Sequence, residues 1–194
     1  DPDAINFDPN ATIDDDSCIY YGTAYDFDGN AYNTVMLGDQ RWMAENLKVT
    51  HYQNGDAIPS GYNTSEWGDL LIGAFAIYDD NYINAENYGN LYNWYAVDDD
   101  REICPENWHV PTDEEWMELE MFLGMSWEEA HDLGERGTVE GGKLKETGYN
   151  HWNVPNEGAT NESGFTALPG GRREGYSGYV GLGGVGHFWT STLY

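Results

Sequence analysis

Basic residues are scarce in this sequence. Lysine and arginine together number 8 against 35 aspartates and glutamates, a formal net charge of -27 over 194 residues. A field of that sign repels phosphate backbones and anionic lipid, which makes nucleic acid and anionic membrane poor partners. It favours solubility and attracts divalent cations. Cysteine is scarce as well. Cys18 and Cys104 are too few to define a disulfide framework. No apolar run approaches the roughly 18–20 residues of a spanning helix, so membrane insertion is excluded. The histidines His51, His109, His131, His151 and His187 show none of the short spacings of a zinc site. The chain opens on Asp1 without a signal peptide and reads as processed or trimmed. No internal repeat marks a solenoid.

Aromatics and glycine are abundant: 8 Trp, 15 Tyr, 6 Phe and 24 Gly. That mixture predicts short strands, tight turns and long packed loops, with few helices. The length suits one domain with a small appendage, and about 70% of the unfolded surface can be buried. Residues 1–22 read as the appendage, an acidic module or linker rich in Asp and Asn. Within it Asp8, Asn10, Thr12 and Asp14 alternate as oxygen ligands do in a calcium loop. The central glycine and the closing glutamate of such a loop are missing, and a solvated acidic linker is the competing reading.

From residue 23 the chain turns to strands. Tyr25 and Phe27 alternate, Asp28-Gly29-Asn30 is a turn, and Tyr32 to Leu37 is extended. Gly38-Asp39 makes a two-residue hairpin into Arg41-Trp42-Met43. Ala44 to Leu47 is expected as one helical turn. Residues 50–90 mix turn residues, asparagines and a short apolar run from Leu70 to Tyr78, and give no clear element. Tyr88 to Val97 is a strand or a short helix.

The clearest signal is Cys104-Pro105-Glu106-Asn107-Trp108-His109-Val110-Pro111-Thr112-Asp113-Glu114-Glu115-Trp116. Pro111 holds Val110 extended. Thr112 and Glu115 form a capping box, and the acids of the first turn favour the helix dipole. Trp116, Leu119 and Leu123 then make one apolar stripe. A second capping box, Ser126 with Glu129, starts another helix expected to reach Leu133 and stop at Gly134. The glycines from Gly158 to Gly186 indicate loops and short strands, and His187 to Thr192 is expected as a last strand. The corner from Cys104 to Trp116 reads as structural, with His109 a hydrogen-bonded structural histidine.

Several blocks resemble one known family, the Fibrobacter succinogenes major paralogous domain. They are Thr34 to Lys48, Tyr88 to Trp94, Cys104 to Trp116, Gly142 to Glu146, Thr160 to Arg172 and Phe188 to Thr192, in family order over about 23–194. Trp108 to Trp116 is similar to a block of formylglycine-generating enzymes. The resemblance implies an α+β, C-type-lectin-like domain with short twisted antiparallel strands, two helices and long Gly-rich loops. It also implies a secreted or cell-surface location. Residues 1–19 look like a short module of secreted bacterial proteins, in which an upstream cysteine would pair with Cys18. In the family a later strand carries a cysteine that would pair with Cys104. The expectation is therefore a domain lacking its final strand, with disulfide partners outside this chain or in another copy. Formylglycine chemistry needs a late cysteine pair, and none follows Cys104, so no catalytic residue is assigned.

Function is then expected in the loops that a rigid sheet carries. Trp152, Asn153, Asn156 and Glu157 partly echo the calcium-dependent sugar motifs of lectins. Arg172 and Arg173 stand in a glycine-rich loop, as contacts for an acidic partner or as internal ion pairs. Tyr176 and Tyr179 suit an adaptable binding loop. The expectation is a non-catalytic extracellular module that recognises protein or glycan through its C-terminal loops, with calcium as a candidate ion. The alternative is a structural subunit of a surface assembly, joined to neighbouring copies by strand exchange or disulfides. A carboxylate-based hydrolase comes third.

Overall fold

A computed structural model describes residues 21–193. The calcium candidates Asp8, Asn10, Thr12 and Asp14, and Cys18, lie outside the described residues. The domain is mixed α/β, with short antiparallel strands. Strands β1 (Tyr21–Tyr25), β2 (Ala31–Leu37) and β3 (Gln40–Met43) form a meander in the order β1-β2-β3. Alternation in β2 buries Tyr32 and Thr34 on one face and Val35 and Leu37 on the other. The β2–β3 hairpin closes through Gly38-Asp39, with Leu37 opposite Gln40. Gly38 has φ 60, the left-handed conformation such a two-residue turn requires.

The middle of the chain makes α1 (Thr64–Gly68), β4 (Phe75–Ala76), a 3-10 turn (Tyr78–Asp80), α2 (Tyr82–Tyr88), β5 (Leu91–Tyr92) and α3 (Trp94–Val97). Strands β4 and β5 pair antiparallel. Side chains do much of the holding here. Asn93 Oδ1 accepts from the Ala74 and Ala96 amides, at 2.9 and 3.1 Å, while its Nδ2 donates to Ile72 O. Asn63 and Glu66 form a capping box on α1.

Helix α4 (Asp113–Phe122) begins where the sequence places it. Glu115 N donates to Thr112 Oγ1 and Thr112 N to Glu115 Oε2, at 3.2 and 2.7 Å. Its stripe buries Leu119 and Leu123. Helix α5 (Trp127–Ala130) keeps the Ser126–Glu129 box but ends early. His131 stacks on Trp127 at 4.0 Å and bonds Trp127 O, which turns the chain before Leu133 and Gly134. Then follow α6 (Glu140–Leu144) and a hairpin, β6 (Arg172–Glu174) with β7 (Gly178–Val180).

Three expectations change. Six α-helices appear among the described residues, not two, because short helices capped by Asn63, Asn81 and Asn93, and the uncapped α6, form in segments without amphipathic period. Ala44 to Leu47 is not helical; the Ala44 N–H bonds Asn33 O and prolongs the β2 pairing. Residues 187–192 form no strand. They are tied by isolated bonds, Trp189 Nε1 to Tyr92 O and Ser191 N to Pro111 O.

The core comes in three parts. Val35, Leu37, Leu119, Leu123 and Phe165 form one, flanked by Trp42 and Trp116. Val49, Tyr52, Ile58, Phe75 and Ile103 form the second, flanked by Cys104 and Val110. Trp67, Ala74 and Ala76 form the third, under Tyr179. The space where these parts fail to meet is the site described next.

Candidate functional site

The loop residues singled out in the sequence mostly carry internal duties. Trp152 is buried, donates Nε1 to Ala167 O at 3.0 Å, and lies under the Lys145 ammonium. Asn156 Nδ2 ties Glu146 O and Gly148 O. Asn153 and Glu157 are exposed, but Trp152 and Asn156 face inward, so the four do not converge on one point. Among the described residues no three His, Cys, Asp or Glu side chains come together as a metal site.

Arg172 forms an internal ion pair, with two nitrogens on Glu174 Oε1, at 2.6 and 3.0 Å, and Nη1 against His187 Nε2 at 2.9 Å. An arginine only donates, so His187 Nε2 is the acceptor and the ring is neutral. Burial and the neighbouring Arg172 charge both lower the His187 pKa. Among the described residues Arg173 meets no carboxylate. It donates to Tyr62 O at 2.5 Å and lies over the rings of Trp67 and Tyr179, at 4.5 and 4.9 Å. Tyr176 is exposed and donates to Asp69; Tyr179 donates to Asp80. Burial, then the Asp80 hydrogen bond, pushes the Tyr179 phenol up to about 12.

What the structure does assemble is a cleft of about 840 Å³, within the size range of small-molecule and peptide pockets. One wall is the outer edge of β3 and the following residues to Leu47. The opposite wall is the segment from Ile103 to Trp116, with Cys104, Trp108 and Val110. The ends are closed by Tyr88 to Tyr92, by Phe165 to Arg173, and by His187 to Trp189. The floor is aromatic: Trp42 lies 4.8 Å from Trp116, and Phe165 and Phe188 pack on Trp116 at 6.0 and 5.8 Å. Trp189, nearly half exposed, tilts against Trp94 and reaches Tyr92 O. Two polar atoms in these walls, Trp116 Nε1 and Asn90 Oδ1, are buried without a hydrogen-bond partner. Cys104 has a free thiol in the wall, which burial and then Glu102 push up to about 12. Such a thiol is protonated and inert at neutral pH.

Titratable groups also meet in small clusters: Arg101 joins Asp56 and Asp99, and Arg136 joins Asp113 and Glu120. His51 contacts Asp28 at 2.6 Å, His109 contacts Glu115 at 2.8 Å, and His151 contacts Glu146 at 2.9 Å. His109 is thus hydrogen-bonded, as expected from its place before α4. Among the described residues no serine hydroxyl or cysteine thiol bonds any of these rings.

The cleft is not legible in the sequence. Its residues lie inside the aromatic family blocks, where Trp108 and Trp116 read as core.

The fold and the cleft define a small mixed α/β domain with a deep aromatic groove. The chain belongs to the Fibrobacter succinogenes major domain family, which matches residues 35–194. No curated protein and no solved structure matches the chain.

Proposed function

We propose that this chain is a non-catalytic extracellular binding module of C-type-lectin-like fold, which recognises protein or glycan at the aromatic cleft. The C-terminal segments expected to carry binding contribute through their inner sides, Phe165 to Arg173 and His187 to Trp189, and less through their tips. The observation that supports this reading is the cleft itself: apolar walls, the half-exposed indole of Trp189 and buried polar atoms left without partners. An empty groove of that kind is the usual form of a ligand site. Rings such as Trp189 suit either a sugar face or a peptide side chain.

Blocking the cleft tests it. A Cβ built on Gly170 meets only ordinary contacts, 3.6 Å from Tyr88 and 3.7 Å from Asn46, both cleft residues. Gly170→Trp should fill the groove, and Gly170→Ala should not. Both variants and the parent chain would be applied to glycan and peptide arrays. Binding by the parent and by Gly170→Ala, lost in Gly170→Trp, supports the reading. Equal binding by all three removes the cleft from it, and no binding by the parent removes the recognition role. Calcium enters as a candidate ion of residues 1–20, tested by melting with and without chelator. Unchanged melting ends that proposal.

A second reading has one observation in its favour. The outer edge of β3 is unpaired among the described residues, and free edges recruit strands. A structural subunit joined by strand exchange would sediment as an oligomer.

A further inference from the structure

We infer that the cleft takes an extended, cationic peptide as a fourth strand beside β3, seating alternate apolar side chains on the aromatic floor. This deepens the binding-module reading and rests on it.

The register sets out the main-chain half of the site. Leu37 pairs with Gln40 across the two-residue hairpin, and Val35 with Trp42. The Ala44 N–H then bonds Asn33 O at 2.8 Å. Antiparallel pairing alternates, so residues 40, 42 and 44 turn their N–H and C=O groups toward β2. Arg41 and Met43 turn theirs the other way, toward the cleft they line. Their two donors and two acceptors recur every second residue, about 7 Å apart. An extended backbone matches that repeat over its length, which is the basis of strand addition to a sheet edge. A strand laid there points every second side chain toward Trp42, Trp116 and Phe188.

Charge selects the occupant. Three of the chain's eight basic side chains line the cleft, Arg41, Arg172 and Arg173. Arg172 is held by Glu174 and His187. Arg173 is held by Tyr62 O and two rings. The Arg41 guanidinium lies across the sheet over Gly22. Three carboxylates line it as well: exposed Asp39, Glu45, which uses one oxygen on the Asn33 amide, and Glu115. The formal charges of the lining balance, and the chain around them carries a net charge of -27. That field draws a cationic peptide and repels a second copy of the chain, whose strand would arrive with the same charge.

The test uses the 194-residue chain and a capped octapeptide, Lys-Val-Lys-Val-Thr-Val-Lys-Val, followed by calorimetry and amide hydrogen exchange. Three analogues accompany it: glutamate for lysine, N-methyl groups on one edge only, and N-methyl groups on the other edge only. Binding of the parent peptide should slow exchange at the Arg41 and Met43 amides at least tenfold. One of the two methylated peptides, and the glutamate analogue, should bind at least tenfold more weakly. On the protein, Arg41→Pro removes an outward N–H without a β2 bond and should weaken binding similarly. The methylated peptides give the same answer if that variant fails to fold. The inference is overturned if neither methylation weakens binding, or if the two edge amides stay unprotected. It is also overturned if the chain alone sediments as a dimer with those amides already protected. Should the octapeptide fail while Gly170→Trp still abolishes binding of an array ligand, the cleft is a site for a different chemistry. The binding-module reading then survives without the strand.

Discussion

Replacing Arg173 by alanine should destabilise the domain by about 2–4 kcal/mol. The side chain makes one charge-assisted bond, to Tyr62 O, worth about 1.5–3 kcal/mol. It lies over Trp67 and Tyr179, two cation–π contacts of about 0.5–1 kcal/mol each. Against this, its Nε is buried without a partner, a burden of about 1 kcal/mol that truncation relieves. The contacts join the β6–β7 hairpin to α1 and the third core part, so their loss should loosen that corner first. In urea, with a slope of about 2–3 kcal/mol per M, the midpoint should fall by about 1 M. Arg173→Lys keeps the charge without the planar fork and should recover only part of the loss. Arg172→Ala is the control. Its pair with Glu174 is solvent-exposed and should move the midpoint far less than Arg173→Ala does. Tryptophan fluorescence, with Trp67 directly under the guanidinium, follows the transition. A change below about 0.5 kcal/mol for Arg173→Ala, at unchanged slope, would refute the clamp. It would return Arg173 to the role of a ligand contact.

Thr34 lies fully buried in β2 with Oγ1 unpartnered, so Thr34→Val, equal in shape and suited to a strand, should raise stability by about 1 kcal/mol in urea melts. A loss would mean that the hydroxyl has a partner. Stability should fall as pH rises from about 9 toward 12. Burial first, and nearby carboxylates next, hold Cys104 and Tyr32 protonated in the fold while the unfolded chain ionises. The slope is about 1.4 kcal/mol per pH unit for each such group. A flat profile from pH 8 to 11 would contradict this, as would rapid iodoacetamide labelling of Cys104 in native Cys18→Ser protein at pH 8. On the acid side Glu140 is buried and accepts from the Thr138 and Val139 amides, the Thr138 bond first in lowering its pKa. Its contribution is present above about pH 4.5 and lost as pH falls through the lowered value. Glu140→Gln should flatten the acid limb between pH 4.5 and 3, and an unchanged limb would place that sensitivity elsewhere.

Local rules read well wherever one residue decides the backbone. Thr112, Glu115, Ser126 and Glu129 announce two helix starts, and Gly38-Asp39 announces a hairpin, because each motif satisfies backbone groups within four residues. They fail where the partner is distant. Asn93 serves amides at residues 74 and 96, and Asn90 Nδ2 reaches the carbonyls of Lys48 and Val49. From sequence such asparagines mark only a loop; in the fold they stand in for missing sheet ladders. The same reason explains α5. A capping box fixes where a helix begins, but its end was decided by a stacking contact between Trp127 and His131 that no cap signal encodes.

The site was illegible for a related reason. A buried tryptophan and a cleft-lining tryptophan carry the same sequence signal, since both sit in apolar blocks. The difference lies in whether the opposite wall arrives. Trp42 and Trp116 touch, yet beyond them the β3 edge and the 103–111 segment stand apart, with no described element between. Trp152 shows the converse. Its Trp-Asn-Val-Pro-Asn-Glu setting invited a ligand role, yet its ring is closed over by Lys145 and its N–H is taken by Ala167. Function in this domain is therefore better sought at backbone left unpaired than at conspicuous side chains. Arg41 and Met43 are distinguished by nothing in their identities. Their position on a sheet edge that faces an apolar groove makes them the place where a partner strand has the most hydrogen bonds to gain.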